Sequence, residues 1–95
     1  MKNKLSKQKF GIWGNTDKDT FWSLLDPIIE WSKDNSLDAQ ITTRIKDFLP
    51  DDFSHDLNVI QSADDFDNLD FLIALGGDGT ILSAARAVGK RNTPI

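Results

Sequence analysis

The sequence predicts an α/β fold with a mainly parallel sheet, and three features of its 95 residues support this prediction. Short apolar runs of strand length alternate with segments in which apolar residues recur at the period of a helix. The run Phe71–Leu75 has no polar position, as expected of a strand covered on both faces. The glycine-rich segment 76–80 (GGDGT) follows it directly and leads into a helix-like segment. The chain therefore carries a strand, a turn and a helix in immediate succession.

The first half of the chain predicts a strand followed by a helix. The strand lies at Lys9–Gly14 and ends in the turn-rich residues 14–17. A helix is predicted over residues 18–34 by five apolar side chains at helical spacing: Phe21, Leu24, Leu25, Ile28 and Ile29. Pro27 interrupts that pattern, and we expect it to kink the helix or to split it in two, with Asp26 capping the second piece.

The middle of the chain predicts a second strand and a long polar connection. Apolar and polar residues alternate over residues 37–43, as in a half-exposed strand. A polar connection is expected from about residue 46 to about residue 58, and residues 57–60 form a short additional strand. The following stretch, residues 62–70, is strongly acidic and is interpreted as a solvated face. Within it, Phe66 and Leu69 are expected to hold one helical turn against the sheet.

The last part of the chain predicts a helix over residues 80–88 that ends at Gly89, a favoured residue just past a helix end. Residues 92–95 are expected to begin another strand, which suggests that the chain is a fragment. Residues 1–8 are interpreted as a solvated basic tail, and residues 9–95 as one α/β domain.

Composition limits the compartment and the partners of this domain. A net charge of −4 and a pI near 4.7 argue against binding to nucleic acid or to an anionic membrane. No signal peptide and no membrane-spanning stretch are recognisable, and the absence of cysteine fits a reducing cytoplasm. The single histidine, His55, lies in a polar stretch and is interpreted as solvated rather than catalytic.

Three glycines around one carboxylate at a strand end predict a ligand site. Glycine permits positive φ and close approach of a ligand, and the first N–H groups of a helix bind anions. A carboxylate would repel a phosphate, so Asp78 is expected to contact a metal or a hydroxyl that attacks phosphorus. The alternative is an ordinary turn in which Asp78 or Thr80 caps the helix. The position at a strand carboxyl end favours a ligand site over a turn, and the carboxylate within it points to phosphoryl transfer rather than passive nucleotide binding.

The chain resembles the N-terminal part of the NAD kinase family over most of its length, and the specific part of the resemblance lies in residues 70–95. Four features follow in that family's order and spacing: an aspartate that opens an apolar strand, then GGDGT, ILSAAR and a closing Thr-Pro-Ile. Residues 10–45 fit the family only as a strand, a helix and a strand. The resemblance implies an incomplete NAD kinase/6-phosphofructokinase-like N-terminal domain without its C-terminal β domain. Diacylglycerol and sphingoid-type lipid kinases, and 6-phosphofructokinases, usually continue differently after the motif than residues 81–85 do. A lipid kinase and a truncated, non-catalytic nucleotide-binding module remain the alternatives.

The resemblance implies an enzyme that transfers a phosphoryl group from ATP, or from polyphosphate, to the adenosine 2′-hydroxyl of NAD. It implies Mg²⁺ as a divalent metal, with no protein ligand assigned. Asp78 matches the catalytic aspartate, taken as the general base. Positions that contact the NAD or shape the phosphate site correspond to Asp78, Gly79, Gly76, Gly77 and Thr80. Some members place a basic NAD contact five residues past the aspartate, where this sequence has Ser83.

The resemblance also implies properties of the complete protein. Its partners are the small molecules NAD and ATP, with neither nucleic acid nor membrane, and it is a cytoplasmic homo-oligomer when full length. Because the family's second motif, which grips the adenosine ribose, lies downstream, residues 1–95 alone are expected to be inactive.

Overall fold

A computed structural model describes residues 8–51, 53, 57–61, 63–89 and 94–95. Its strands are β1 (Lys9–Gly14), β2 (Asp38–Thr42), β3 (Asn58–Ile60) and β4 (Phe71–Leu75). Its helices are α1 (Asp19–Asp34), α2 (Thr43–Asp47) and α3 (Asp78–Val88), with a 3₁₀ segment at Ala63–Asn68. The strands of this described part form one sheet in the order β3-β2-β1-β4, and every pairing is parallel. The predicted α/β class and parallel sheet are confirmed.

The centre of the sheet is the pairing of β1 with β4. Phe10 lies opposite Phe71 and Gly14 opposite Leu75. The rings of Phe10 and Phe71 stack with centroids 5.1 Å apart and planes 5° apart. Both strands have the bounds that the sequence predicts, because each is an apolar run closed by turn-forming residues.

Helix α1 covers one face of the sheet with a stripe narrower than the sequence predicts. Phe21, Leu25 and Ile29 are buried and Ile28 is half-buried, but Leu24 is 46% exposed and does not belong to the core. The helix lies very close to β1, because a Cβ at Gly14 would overlap the ring of Phe21. This side of the sheet contains the larger apolar cluster, with residues from β1, β2, α1 and α2.

Pro27 does not divide α1. The helix is continuous from Asp19 to Asp34, so the predicted split with Asp26 as a second cap is wrong, and a bend there stays a prediction. The carbonyl that loses its hydrogen bond to the proline is that of Ser23. Ser23 and Pro27 are both exposed, so the unpaired position is on the solvent side of α1, while apolar residues on both sides of the proline hold the helix against the sheet.

The opposite face of the sheet is covered by α3 and the 3₁₀ segment. Phe66 and Leu69 are 4% and 7% exposed, which confirms that this acidic stretch is held against the sheet. They share a cluster with Leu72 of β4 and with Ala84 and Val88 of α3. Strand β4 thus has apolar contacts on both faces, as predicted, since its alternate residues pack against the other cluster.

The largest difference from the sequence prediction lies just after β2. The strand covers residues 38–42 rather than 37–43, and the chain then forms α2, which begins at the last residue of the predicted strand and ends at the second residue of the predicted polar connection. The hydroxyl of Thr42 accepts a hydrogen bond from the N–H of Ile45 at 3.2 Å, which caps this short helix. Ile45 is 1% exposed and anchors it to the core. The predicted short strand that follows is confirmed as β3.

Some sequence predictions lie outside the described residues. These are the basic tail through residue 7, His55, and residues 92–93 of the strand expected at the end. The carbonyl of Pro94 accepts a hydrogen bond from the N–H of Leu72 at 2.8 Å, so the last residues lie beside β4. Within the described ranges, no helix combines the length and hydropathy needed to cross a bilayer.

Candidate active site

A cleft of about 750 Å³ lies at the carboxyl edge of the sheet. Its walls come from the loops after the strands and from α3, and include Trp13, Gly14, Asn15, Lys18, Thr42, Thr43, Arg44, Ile60, Gln61, Gly77, Gly79 and Thr80. Strand β1 has β2 on one side and β4 on the other, so the chain changes direction across the sheet at this point. Ligands of open α/β sheets bind at such switch points.

The GGDGT segment forms the tight turn out of β4 and the first turn of α3. Gly76 has φ +151°, a conformation that favours glycine. A Cβ at this position would overlap Oγ1 of Thr80 and lie 2.8 Å from Thr80 Cβ. Gly77 has extended backbone and is the N-cap, so α3 begins at Asp78, two residues earlier than predicted. Neither Asp78 nor Thr80 is the cap, and the interpretation of the motif as a side-chain cap is wrong.

The other two glycines of the motif are not required by the packing of this chain. A Cβ at Gly77 or at Gly79 would meet nothing within 4 Å, and both residues line the cleft. Residues with side chains would fit there as far as the described protein atoms are concerned. The open space beside their backbone is therefore available to a ligand, which is the use of glycine that the sequence predicts.

The start of α3 gives this part of the cleft a positive electrostatic character. The first N–H groups of a helix, here those of Asp78 and Gly79, have no intrahelical acceptor. The N–H groups of Thr80 and Ile81 already donate to the carbonyl of Gly77, at 3.0 and 3.2 Å. Unpaired N–H groups and the positive end of the helix dipole together favour an anion beside Gly79.

The five predicted site residues are in different positions relative to the cleft. Gly77, Gly79 and Thr80 line it, whereas Gly76 supports the turn through its contact with Thr80. Asp78 is exposed at the first position of α3, between two lining glycines, and is not itself a lining residue. Its side chain is therefore accessible at the rim, and its catalytic role stays a prediction.

Ser83 faces the same cleft. It lies four residues after Gly79 and four before Ala87, and all three line the cleft from one side of α3. The neighbouring positions Ala84 and Val88 are buried in the core. The position at which some family members place a basic contact is thus directed at the site, but here it offers a hydroxyl.

The cleft carries two cations that sequence reasoning missed. Lys18 and Arg44 line it, and the described lining residues include no carboxylate although the chain has 15 acidic residues. Arg44 Nε donates a hydrogen bond to Thr16 Oγ1 at 3.3 Å, and its Nη2 lies 4.0 Å from Asp17 Oδ2. Lys18 and Arg44 each follow a strand closely, so the rule that sites form at strand carboxyl ends could have indicated them.

The described residues do not form a protein cage for a metal ion. Within that part of the chain, no group of three or more His, Cys, Asp or Glu side chains is placed to hold one. Mg²⁺ is commonly held by one or two carboxylates together with substrate phosphates and water. Asp78, exposed beside the cleft, fits only that kind of site.

The family is settled by comparison with known proteins. The ATP-NAD kinase N-terminal domain family matches residues 10–95 of the chain. The chain belongs to the NAD kinase family. The match confirms the resemblance, both in the specific residues 70–95 and in the preceding segment, which fits as a strand, a helix and a strand.

Several curated NAD kinases are similar to this chain. That of Clostridium tetani is 36% identical over 85 residues, which cover 90% of this chain and 27% of the relative. The NAD kinase of Clostridium botulinum strain Langeland is 33% identical over 93 residues, which cover 93% of this chain and 27% of the relative. That of Methanosphaera stadtmanae is 28% identical over 87 residues, with 92% and 30% covered. The chain therefore spans less than a third of the length of these NAD kinases. No solved structure matches it.

Proposed function

We propose that the full-length protein containing this chain is an NAD kinase, which transfers the γ-phosphoryl group of ATP to the 2′-hydroxyl of the adenosine ribose of NAD. The family match over residues 10–95 carries the proposal. The position of the GGDGT segment supports it, because Gly77 and Gly79 line the cleft at the strand carboxyl ends where α/β proteins bind nucleotides.

In the proposed reaction, the 2′-oxygen of NAD forms a bond to the γ-phosphorus and the bond from that phosphorus to the bridging oxygen of ADP breaks. The 2′-hydroxyl proton passes to the carboxylate of Asp78, and NADP and ADP are the products. An aspartate is a weak base for an alcohol, so it receives the proton as the oxygen attacks. Phosphoryl transfer tolerates this, because its transition state is loose and catalysis depends mainly on positioning.

The glycine loop and the start of α3 account for the phosphate side of the proposal. Gly77 and Gly79 leave space for close approach, and the N–H groups at the start of α3 donate to phosphate oxygens. A Mg²⁺ ion held by the substrate phosphates and water would neutralise phosphate charge and leave Asp78 available to accept the proton. Asp78, which accepts the proton, and the backbone N–H groups, which contact the phosphate, are the contributions of this chain, in addition to those of the metal ion.

The test is an acceptor and donor screen of the full-length protein. NAD or diacylglycerol is supplied as acceptor and ATP or polyphosphate as donor, and NADP and phosphatidic acid are quantified. NADP formation from NAD and ATP is the expected result. Phosphatidic acid without NADP would favour the lipid kinase alternative, and nucleotide binding without any turnover would favour a non-catalytic module.

Asp78→Asn tests the assigned base in the same assay. The amide keeps the shape of the side chain but cannot accept the proton, so kcat should fall by about 10²- to 10⁴-fold. The KM for NAD should change much less, because the lost interaction belongs to the transition state. Asp34→Asn, at the far end of α1, is the matched control and should leave turnover unchanged. Wild-type turnover in Asp78→Asn would remove this aspartate from the chemistry.

A further inference from the structure

The charge of the cleft differs from that of the chain. Acidic residues outnumber basic ones by 15 to 11 in the sequence, yet Lys18 and Arg44 are the charged residues among the described cleft walls. Lys18 lies in the loop after β1 and Arg44 in α2, which directly follows β2, so both belong to the part of the cleft built by the first half of the chain. The GGDGT segment follows β4 and forms another wall. An anionic ligand in this cleft would have cations on one side and the start of α3 on the other.

Arg44 is held in place by the loop after β1, 28 residues earlier in the chain. Its Nε donates to Oγ1 of Thr16, a residue only 9% exposed. The carbonyl of Thr16 accepts a hydrogen bond from Nε1 of Trp22 at 2.9 Å, which fixes this loop to α1. Because Nε is occupied by the threonine, the terminal nitrogens of the guanidinium are directed away from that contact.

The ion pair of Arg44 does not saturate its guanidinium. The Nη2 atom lies 4.0 Å from Asp17 Oδ2, the limit for an ion pair, and the two side chains are 64% and 79% exposed. An exposed pair of this kind contributes little stability. A guanidinium offers five N–H donors in a geometry that suits phosphate oxygens, so Arg44 keeps donors for a ligand.

We propose that Arg44 and Lys18 bind the polyphosphate chain of the nucleotide held in this cleft, and that Thr16 is the positioning residue for Arg44. The ligand chemistry is a di- or triphosphate, which both ATP and NAD provide. The assignment of these two nucleotides rests on the proposed function, whereas the phosphate site itself rests on the two cations and the absence of carboxylates from the described cleft lining.

The site is tested by direct binding of sodium tripolyphosphate to the full-length protein, measured by calorimetry. Arg44→Met and Lys18→Met keep the aliphatic part of each side chain and remove the charge. Each should raise the dissociation constant roughly 10- to 100-fold, the loss expected for a charged hydrogen bond. The control is Lys46→Met, also on α2 but not part of the cleft lining, and it should bind as wild type does. No binding to wild type, or equal binding by all variants, would overturn the proposal.

Steady-state kinetics identify which nucleotide uses the site. A rise in the KM for ATP alone in Arg44→Met assigns the cations to the donor, and a rise for NAD alone assigns them to the acceptor. Either result supports the proposal, with kcat reduced less than KM is raised. Unchanged KM values for both substrates would refute it.

The role of Thr16 is tested by two substitutions of similar size. Thr16→Val removes the hydroxyl that Arg44 Nε contacts, and Thr16→Ser retains it. Thr16→Val should raise the KM of the substrate whose KM rises in Arg44→Met, but by a smaller factor. Thr16→Ser should leave that KM at its wild-type value. If both variants show the same KM, Thr16 has only a structural role.

Failure of this inference is distinguishable from failure of the proposed function. Tripolyphosphate binding that depends on Arg44 and Lys18, without formation of NADP, would leave the phosphate site intact and refute the kinase. Formation of NADP with wild-type phosphate binding in both variants would confirm the kinase and refute the site.

Discussion

The three glycines of GGDGT should respond differently to alanine, because the structure gives them different roles. Gly76→Ala forces a side chain into φ +151° and makes its Cβ overlap Thr80 Oγ1. The conformation costs about 1–3 kcal/mol. The overlap costs about 1–3 kcal/mol more. For a protein of about 150–250 residues, about 1 kcal/mol lowers Tm by roughly 2–4 °C, so the full-length variant should melt at least about 4 °C below wild type.

Gly79→Ala should have the opposite effect on stability. This residue lies in the first turn of α3, and its new Cβ would have no protein atom within 4 Å. Alanine is favoured over glycine in a helix by about 0.5–1 kcal/mol, so Tm should rise by a few degrees. The same methyl group points into open space that the proposed ligand approaches. We therefore expect kcat/KM for NADP formation to fall by about tenfold or more, a loss of about 1.4 kcal/mol.

The assays are thermal unfolding and NADP formation on the same preparations of the full-length protein. Thr80→Ala in the Gly76→Ala background is the control for the overlap. It removes Oγ1 but leaves the backbone strain, so it should restore only part of the lost Tm. A Gly79→Ala variant with wild-type kcat/KM would refute the ligand role of that glycine. An unchanged Tm in Gly76→Ala would refute the turn geometry.

Three further predictions concern the helix α1 and the isolated chain. Pro27→Ala restores a helical N–H at an exposed position and should raise stability by up to about 3 kcal/mol, measured by urea unfolding; a lower stability would mean that the proline is needed by the fold. Phe21→Ala empties a core site of a side chain 2% exposed and should cost about 3–5 kcal/mol in the same measurement, whereas a cost near zero would contradict its core position. Residues 1–95 alone should form no NADP in the screen used for the full-length protein, because they correspond to less than a third of the related NAD kinases; robust turnover by this chain would refute that expectation.

The strands and the main helices could be predicted because their signals are local. Strands β1 and β4 are apolar runs bounded by turn residues, and α1 has a clear helical period. The helical spacing of apolar residues predicts a buried position for Leu24, which is exposed. The spacing indicates which side of the helix faces the sheet, but not how wide a part of that side the sheet covers. The split predicted at Pro27 is wrong for a related reason. The free energy that a proline costs inside a helix depends on whether the carbonyl that loses its hydrogen bond is exposed to water.

Helix α2 was missed although its signal is present in the sequence. Thr42 caps the N–H of the third residue after it, which is a recognisable helix start. The alternating pattern of β2 runs through Thr43, so strand periodicity and helix capping compete at this point. The burial of Ile45 decides between them, and burial is a tertiary property. The sequence predicts a start of α3 at residue 80, two residues late, because glycine has a low helix propensity and the first turn contains Gly79.

The motif could be located from the sequence, whereas the cations opposite it could be indicated only by their positions after predicted strands and not by a motif of their own. Arg44 reaches the cleft because parallel strands bring the loop after β1 and the start of α2, which follows β2, to the same edge, and the strand order depends on packing. No local pattern joins Thr16 to Arg44. Where a parallel sheet is predicted, the residues just past each strand are therefore the ones to compare for shared chemistry.

The acidity of the chain and its proposed anionic substrates are compatible for an electrostatic reason. At physiological ionic strength the Debye length is about 8 Å, so exposed carboxylates farther away are largely screened. The electrostatic field in the cleft then depends on nearby groups. Those that line it are Lys18, Arg44 and the start of α3. Asp17 and Asp78 adjoin them, and the first is paired with Arg44 while the second begins α3. Net charge predicts which large surfaces the protein avoids, whereas the lining of the cleft determines which small anion it binds.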